Sequence, residues 1–280
     1  MMNWATIVYG RTSEVDFRLL ALPRDFTRSE EDWLMAHIQT MTRYPEDLPN
    51  KPRWAVVRQD ELCVLVVACM ARELMEQAQT DGMELTHDHR GRPLYTVVGY
   101  ATRLSQGEPV QIPAYLDQDL RVFSSTYQEY VTPHWLVKSY VQDSVTASEY
   151  QPLSAAPAIV PAQLDQSYFV LNLTQPNLVV LWPDNIDERQ ALWATAAQQL
   201  ASGENVSLCL CFPTQSSAVN GAFLNGTAVG IAQKEQIIRI PESTSTSDST
   251  DVEQPTITDQ SVVSSILSWI VARILLVGSL

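Results

Sequence analysis

The chain has 280 residues, 45% of them hydrophobic and including 7 Trp, 10 Tyr and 6 Phe, which is enough apolar surface to build cores without disulfide staples. Its formal charge of −14, from 32 acidic against 18 basic side chains, opposes binding to nucleic acid and to anionic membrane surfaces. No local run of Lys or Arg offsets that field; the densest basic cluster is Arg90 and Arg92, with Arg103 further on.

The opening residues lack the basic and continuous apolar regions of a signal peptide, which places the chain in the cytoplasm as an expectation. Residues 4–9 (WATIVY) are β-rich and stop at Gly10; residues 15–22 form a second short strand ended by Pro23. Ser29, followed by Glu30, Glu31 and Asp32, opens a helix whose apolar face carries Trp33, Ile38 and Met41, and Pro45, Pro49 and Pro52 close it. Residues 53–58 (RWAVVR) read as a strand turning at Asp60 and Glu61. Residues 62–70 (LCVLVVACM) form a continuous apolar run, the pattern of a strand buried on both faces. A helical pattern over 71–78 follows, so either strand passes into helix near Cys69 or the entire stretch is one helix, and periodicity does not decide between them; the turn at 88–92 and a further strand at 93–102 come next. The aromatic residues between 115 and 150 sit at spacings that suit helices packed on a sheet. Together residues 1–150 read as an α+β domain.

A Pro/Ala-rich linker is expected at 151–161 (QPLSAAPAIVP), followed by a small α/β unit at 162–240. In that unit, strands at 168–173, 177–182 and 206–212 flank a helix at 188–201, capped by Asp184 or Asp187 and stopped at Gly203. A strand–helix–strand crossover of this length implies parallel pairing. Asn220-Gly221 and Asn225-Gly226 read as hairpin turns, and 236–240 as an edge strand. The fold class is therefore α/β or α+β, with an N-terminal mixed sheet and a smaller C-terminal unit.

Residues 241–260 are rich in Ser, Thr and acids, with only Val252 and Ile257 as large aliphatics. Such a segment cannot offset its ordering entropy by burial and reads as a flexible tether. Residues 261–280 form an apolar C-terminal helix with a stripe of small residues and one charge, Arg273. Three burials compete for it: docking on another protein, insertion in a membrane, and folding back onto the body. As a helix, residues 262–280 rise about 28 Å, marginal against a hydrocarbon core about 30 Å thick.

The four cysteines, Cys63, Cys69, Cys209 and Cys211, all lie in apolar runs and read as buried thiols; Cys209 and Cys211, two apart on a strand, are expected to face the same way. Neither their spacing nor that of His87 and His89 completes a zinc or catalytic set, so no metal, cofactor or catalytic residue is expected. Arg90 and Arg92 around Gly91 are the candidate anion site. The expected function is a non-enzymatic adaptor or regulatory subunit. It would bind a protein partner through its C-terminal helix, at Ile266, Trp269, Ile270, Arg273, Ile274 and Val277. Two alternatives stand beside it: a membrane-associated effector anchored by that helix, and an enzyme or ligand sensor with a site near Gly10, Arg90 and Arg92.

Overall fold

The computed structural model describes residues 2–13, 15–78, 85–136, 145–153, 155–158 and 177–239. The expected strand at 168–173, the tether at 241–260 and the terminal helix at 261–280 lie outside these residues.

The described chain is a mixed α/β fold around one large sheet. Strands β1 (Asn3–Gly10), β2 (Arg18–Pro23), β3 (Arg53–Gln59), β4 (Leu62–Met70) and β5 (Tyr95–Arg103) form an antiparallel half in the order β3-β4-β5-β1-β2. The hairpin β3–β4 pairs Gln59 with Leu62, and Asp60 takes the left-handed turn conformation at φ 54°. β4 is buried along its whole length, as its unbroken apolar sequence requires. The short β6 (Thr146–Ser148) pairs parallel with β2, and β7 (Gln151–Pro152) pairs with the start of β1.

The other half is mostly parallel. Helix α4 (Ile186–Ala201) connects β8 (Leu178–Pro183) to β9 (Val206–Phe212), and α5 (Gln215–Val219) leads from β9 to β10 (Asn225–Ala228). β8 and β9 are not neighbours: β10 lies between them and runs parallel to both. The antiparallel β11 (Glu235–Ile238) closes the edge beside β8. The halves join where β9 pairs antiparallel with β3, from Ala55–Cys209 to Arg58–Val206. The strands of 177–238 thus continue the sheet begun in 1–150, and residues 2–239 belong to one compact unit.

Helices cover both faces. On one, α2 (Ala71–Ala78), α3 (Arg121–Val131) and α4 pack over Trp54, Leu65, Val98 and Leu208. Trp54 sits at the centre of this core, edge-on to Tyr115, Phe123 and Trp193 at centroid distances of 5.4, 5.2 and 5.6 Å. On the other face, α1 (Arg28–Thr42) lays Leu34, Ile38 and Met41 on Val57, Val64, Val66 and Phe212. The result is three layers, α on β on α.

Three local expectations are corrected. Helix α1 is capped by Thr27 rather than Ser29: the Thr27 hydroxyl accepts from Glu30 N while the Glu30 carboxylate accepts from Thr27 N at 2.7 Å. Asn225 and Gly226 form no hairpin turn but start the buried strand β10, where a Cβ on Gly226 would come within 2.5 Å of the Cys209 carbonyl oxygen. Finally, Cys209 and Cys211 face opposite cores. A register shift against β10, with Cys211 at φ 68°, reverses the alternation, and Thr227 Oγ1 accepts the displaced Cys211 N–H at 2.8 Å.

Candidate functional site

The expected partner-binding residues Ile266, Trp269, Ile270, Arg273, Ile274 and Val277 fall outside the described residues. The other expected site is well defined. The structure brings the loop after Gly10 against the 87–92 turn: His89 N donates to Ser13 O at 3.2 Å, and Arg11 approaches Asp88 at 3.5 Å. The centre of this contact is Asp88, whose side chain is fully buried. Its Oδ1 accepts the Arg90 and Arg92 backbone N–H groups, each at 2.9 Å, and its Oδ2 accepts Arg92 Nε at 2.7 Å. Burial alone would push this carboxyl up; the Arg92 backbone and side-chain hydrogen bonds and that from Arg90 N hold it well below the usual carboxylate range. Arg92 is therefore committed to Asp88, and Arg90 lies exposed with its Nε directed to His89 Nε2 at 3.3 Å. Gly91 at φ 71° lets the turn close. His37 and His134 lie on other elements, as their sequence separation implies.

A second polar cluster sits at the carboxyl ends of the parallel strands, the position where open α/β sheets gather ligands. Arg189 on the first turns of α4 reaches Asp117 at 3.2 Å and Asp184 at 3.9 Å, and its Nη1 donates to Cys211 Sγ at 3.0 Å. Thr227 Oγ1 donates to Asp184 at 2.9 Å and Tyr115 Oη to Asp117 at 2.8 Å. Burial, with Asp184 adding to it, pushes the Cys211 thiol up to about 11 against the pull of Arg189. Sequence reasoning missed this network because its members come from four separate segments, and no single segment has a motif.

The third feature is a cleft of about 590 Å³ beside α1. The cross-strand pair Val57–Ser207, on the seam between the antiparallel and parallel halves of the sheet, lines it. Trp33 and His37 from α1 line it together with Ala222, Leu224, Asn205 and Arg239. Helix α1 is held against residues 222–223 by Thr40, whose hydroxyl accepts Ala222 N at 2.9 Å, and by the His37 ring, edge-on to Phe223 at 4.9 Å. Trp33 also lines a neighbouring trough of about 400 Å³ with Glu30, Asp60, Glu61 and Arg103. Arg103 holds Glu30 by two hydrogen bonds, of 2.8 and 3.0 Å, and that bonding brings the carboxyl down to about 2. The sequence marked Trp33 as an apolar face residue; nothing in it foretold that Arg239, 206 positions away, would share its cleft.

Among the described residues, no group of three His, Cys, Asp or Glu side chains is placed to hold a metal ion, and no helix is long and apolar enough to cross a membrane. No protein-family model and no curated protein matches the chain.

Proposed function

We propose that the protein is a non-enzymatic adaptor or regulatory subunit, with a folded α/β body and a C-terminal helix that binds a protein partner. The observation carrying this reading is how the body treats its potential nucleophiles. All four thiols are buried, and burial raises every one of them: Cys63 to about 12, Cys211 to about 11, and Cys69 and Cys209 well above the ordinary thiol range. Thiols held neutral inside a core serve packing rather than covalent chemistry. Unpaired cysteines also accord with a reducing compartment such as the cytoplasm.

The apolar sequence of 261–280 supplies the partner-binding element in this reading. A chain ending at residue 239 should melt as cooperatively as the full protein yet lose a partner that residues 240–280, fused to a carrier, still capture. Trp269→Ala and Ile270→Ala should each weaken that capture about tenfold. A truncated chain that keeps every interaction overturns the proposal.

The second reading, a membrane-associated effector, is favoured by the near-continuous apolar run around Arg273, whose stem can lie along apolar surface. Full-length protein recovered without detergent overturns it. A ligand sensor at Gly10, Arg90 and Arg92 is supported by the contact of Arg11 and Ser13 with the 88–92 turn.

A further inference from the structure

We propose that the cleft between α1 and residues 222–224 binds a small monocarboxylate with a flat apolar body. This goes beyond the adaptor reading and does not depend on it. The volume, about 590 Å³, lies within the range of small-molecule sites. Trp33, Val57, Ala222 and Leu224 give it an apolar lining, and a few polar groups converge there.

The anionic end of the ligand is assigned by Arg239. Its Nη2 donates to Phe223 O, while its Nε is buried without an acceptor. Among the described residues no carboxylate pairs with it, and burial is the sole influence lowering its pKa. The other two cations that line the cleft and the trough have acceptors of their own: Arg103 binds Glu30 and Asp25, and Arg58 donates to Glu108 O and Asp60 O. A half-buried guanidinium without an anion favours a carboxylate that supplies one.

Single charge follows from the surroundings. Asp60 borders the cleft, and Glu30 and Glu61 line the trough beside it, so a dianion such as a phosphate monoester meets repulsion that one guanidinium does not offset. A second polar group lining the cleft is His37. Its Nδ1 lies 2.8 Å from Trp33 O and so carries the proton; burial keeps the ring neutral, and Nε2 is an acceptor for a ligand N–H or O–H. The Trp33 and His37 rings, 4.4 Å apart between centroids, offer an aromatic wall to a flat body.

The test is calorimetric titration of the full chain with indole-3-acetate, its neutral counterpart indole-3-acetamide, and phenyl phosphate. Indole-3-acetate should bind about tenfold tighter than either of the others. Arg239→Gln should remove that advantage and leave the acetamide unchanged, and Arg239→Lys should restore part of it. A second variant, Ala222→Phe, fills the cleft without touching the cation and should abolish binding of both indoles, with the unfolding midpoint as the check on folding. Equal affinity for acid and amide, tighter binding of the phosphate, or no binding of the acid at roughly 10 mM overturns the proposal. Partner capture by residues 240–280 is measured separately, so failure of either proposal leaves the other standing.

Discussion

Arg53 is a charged residue with only 1% of its surface exposed. Its guanidinium reaches the end of α1 and donates to the carbonyls of Met41 at 2.5 Å, Arg43 at 2.6 Å and Tyr44 at 3.0 Å. Met41 O and Arg43 O lie at the end of α1, where carbonyls lack intrahelical donors, and the cation also complements the negative end of the helix. Burial lowers the Arg53 pKa, with Asp47 and Glu46 among the charges that oppose the shift. Arg53→Met keeps the stem but removes the donor to Met41 O and Arg43 O, while Tyr44 O keeps the Asp47 N–H at 3.2 Å; it should cost roughly 1–3 kcal/mol, read as a lower urea midpoint. Arg53→Lys should recover part of that loss. An unchanged midpoint in Arg53→Met would show that water serves the helix end equally well. The sequence marks 53–58 as a strand but cannot mark its arginines as interior, because their partners are backbone carbonyls that no residue type announces. Cys211 is similar: its inversion relative to Cys209 comes from one bulge, and a bulge leaves no trace in an apolar run.

At the scale of elements, β4 and β5 make the longest ladder in the sheet, nine residue pairs from Leu62–Arg103 to Met70–Tyr95. Gly99 sits in its middle, where a Cβ would fall 2.0 Å from the Leu65 carbonyl oxygen and 2.6 Å from Val66 Cα. Backbone cannot yield as a side-chain tip can, so Gly99→Ala should destabilise by about 2–4 kcal/mol in thermal melts. Gly91→Ala, where φ is 71° and nothing lies within 4 Å, should cost only about 1 kcal/mol. Equal losses would place the cost in backbone conformation rather than contact. Elements bounded by clear turn signals are legible: residues 178–183 and 206–212 are strands, and α4 ends before Gly203 at φ 78°, whereas the apolar run 62–70 fits strand or helix and only its pairing with β3 and β5 decides. The ends of elements are less legible. Thr27-x-x-Glu30 and Ser29-x-x-Asp32 both fit a capping box, and the first prevails where Arg103 also holds Glu30.

Across the whole molecule, Arg103 joins parts of the chain far apart in sequence. From the end of β5 it binds Glu30 on α1 and Asp25 in the loop after β2, and Asp25 in turn accepts the Tyr150 hydroxyl at 2.9 Å. Because Glu30 titrates at about 2 when folded, against about 4.3 in an unfolded chain, its contribution is complete above the unfolded value. It is lost as pH falls from about 4.3 through 2. Solvent screening limits it to about 1 kcal/mol, since both side chains are partly exposed. Urea unfolding at pH 7, 4 and 2.5 should show Glu30→Gln losing less stability on acidification than the parent; equal losses would remove Glu30 from the acid response. At this scale the sequence suggested bodies at 1–150 and 162–240. The pairing of β3 with β9, which makes one sheet of them, links residues some 150 apart, and hydropathy periods report local geometry only.

The order in which the parallel strands are made differs from the order in which they lie. When α4 and β9 have left the ribosome, β8 still lacks both strands that flank it in the finished sheet, because β10 and β11 are encoded later. Synthesis therefore passes through a stage in which a buried-type strand, Leu178–Pro183, waits with both margins open. Arrival of the four residues Asn225–Ala228 ends that wait, since they bridge β8 and β9 at once. A nascent chain stalled short of them would offer that strand to any other unpaired edge it meets.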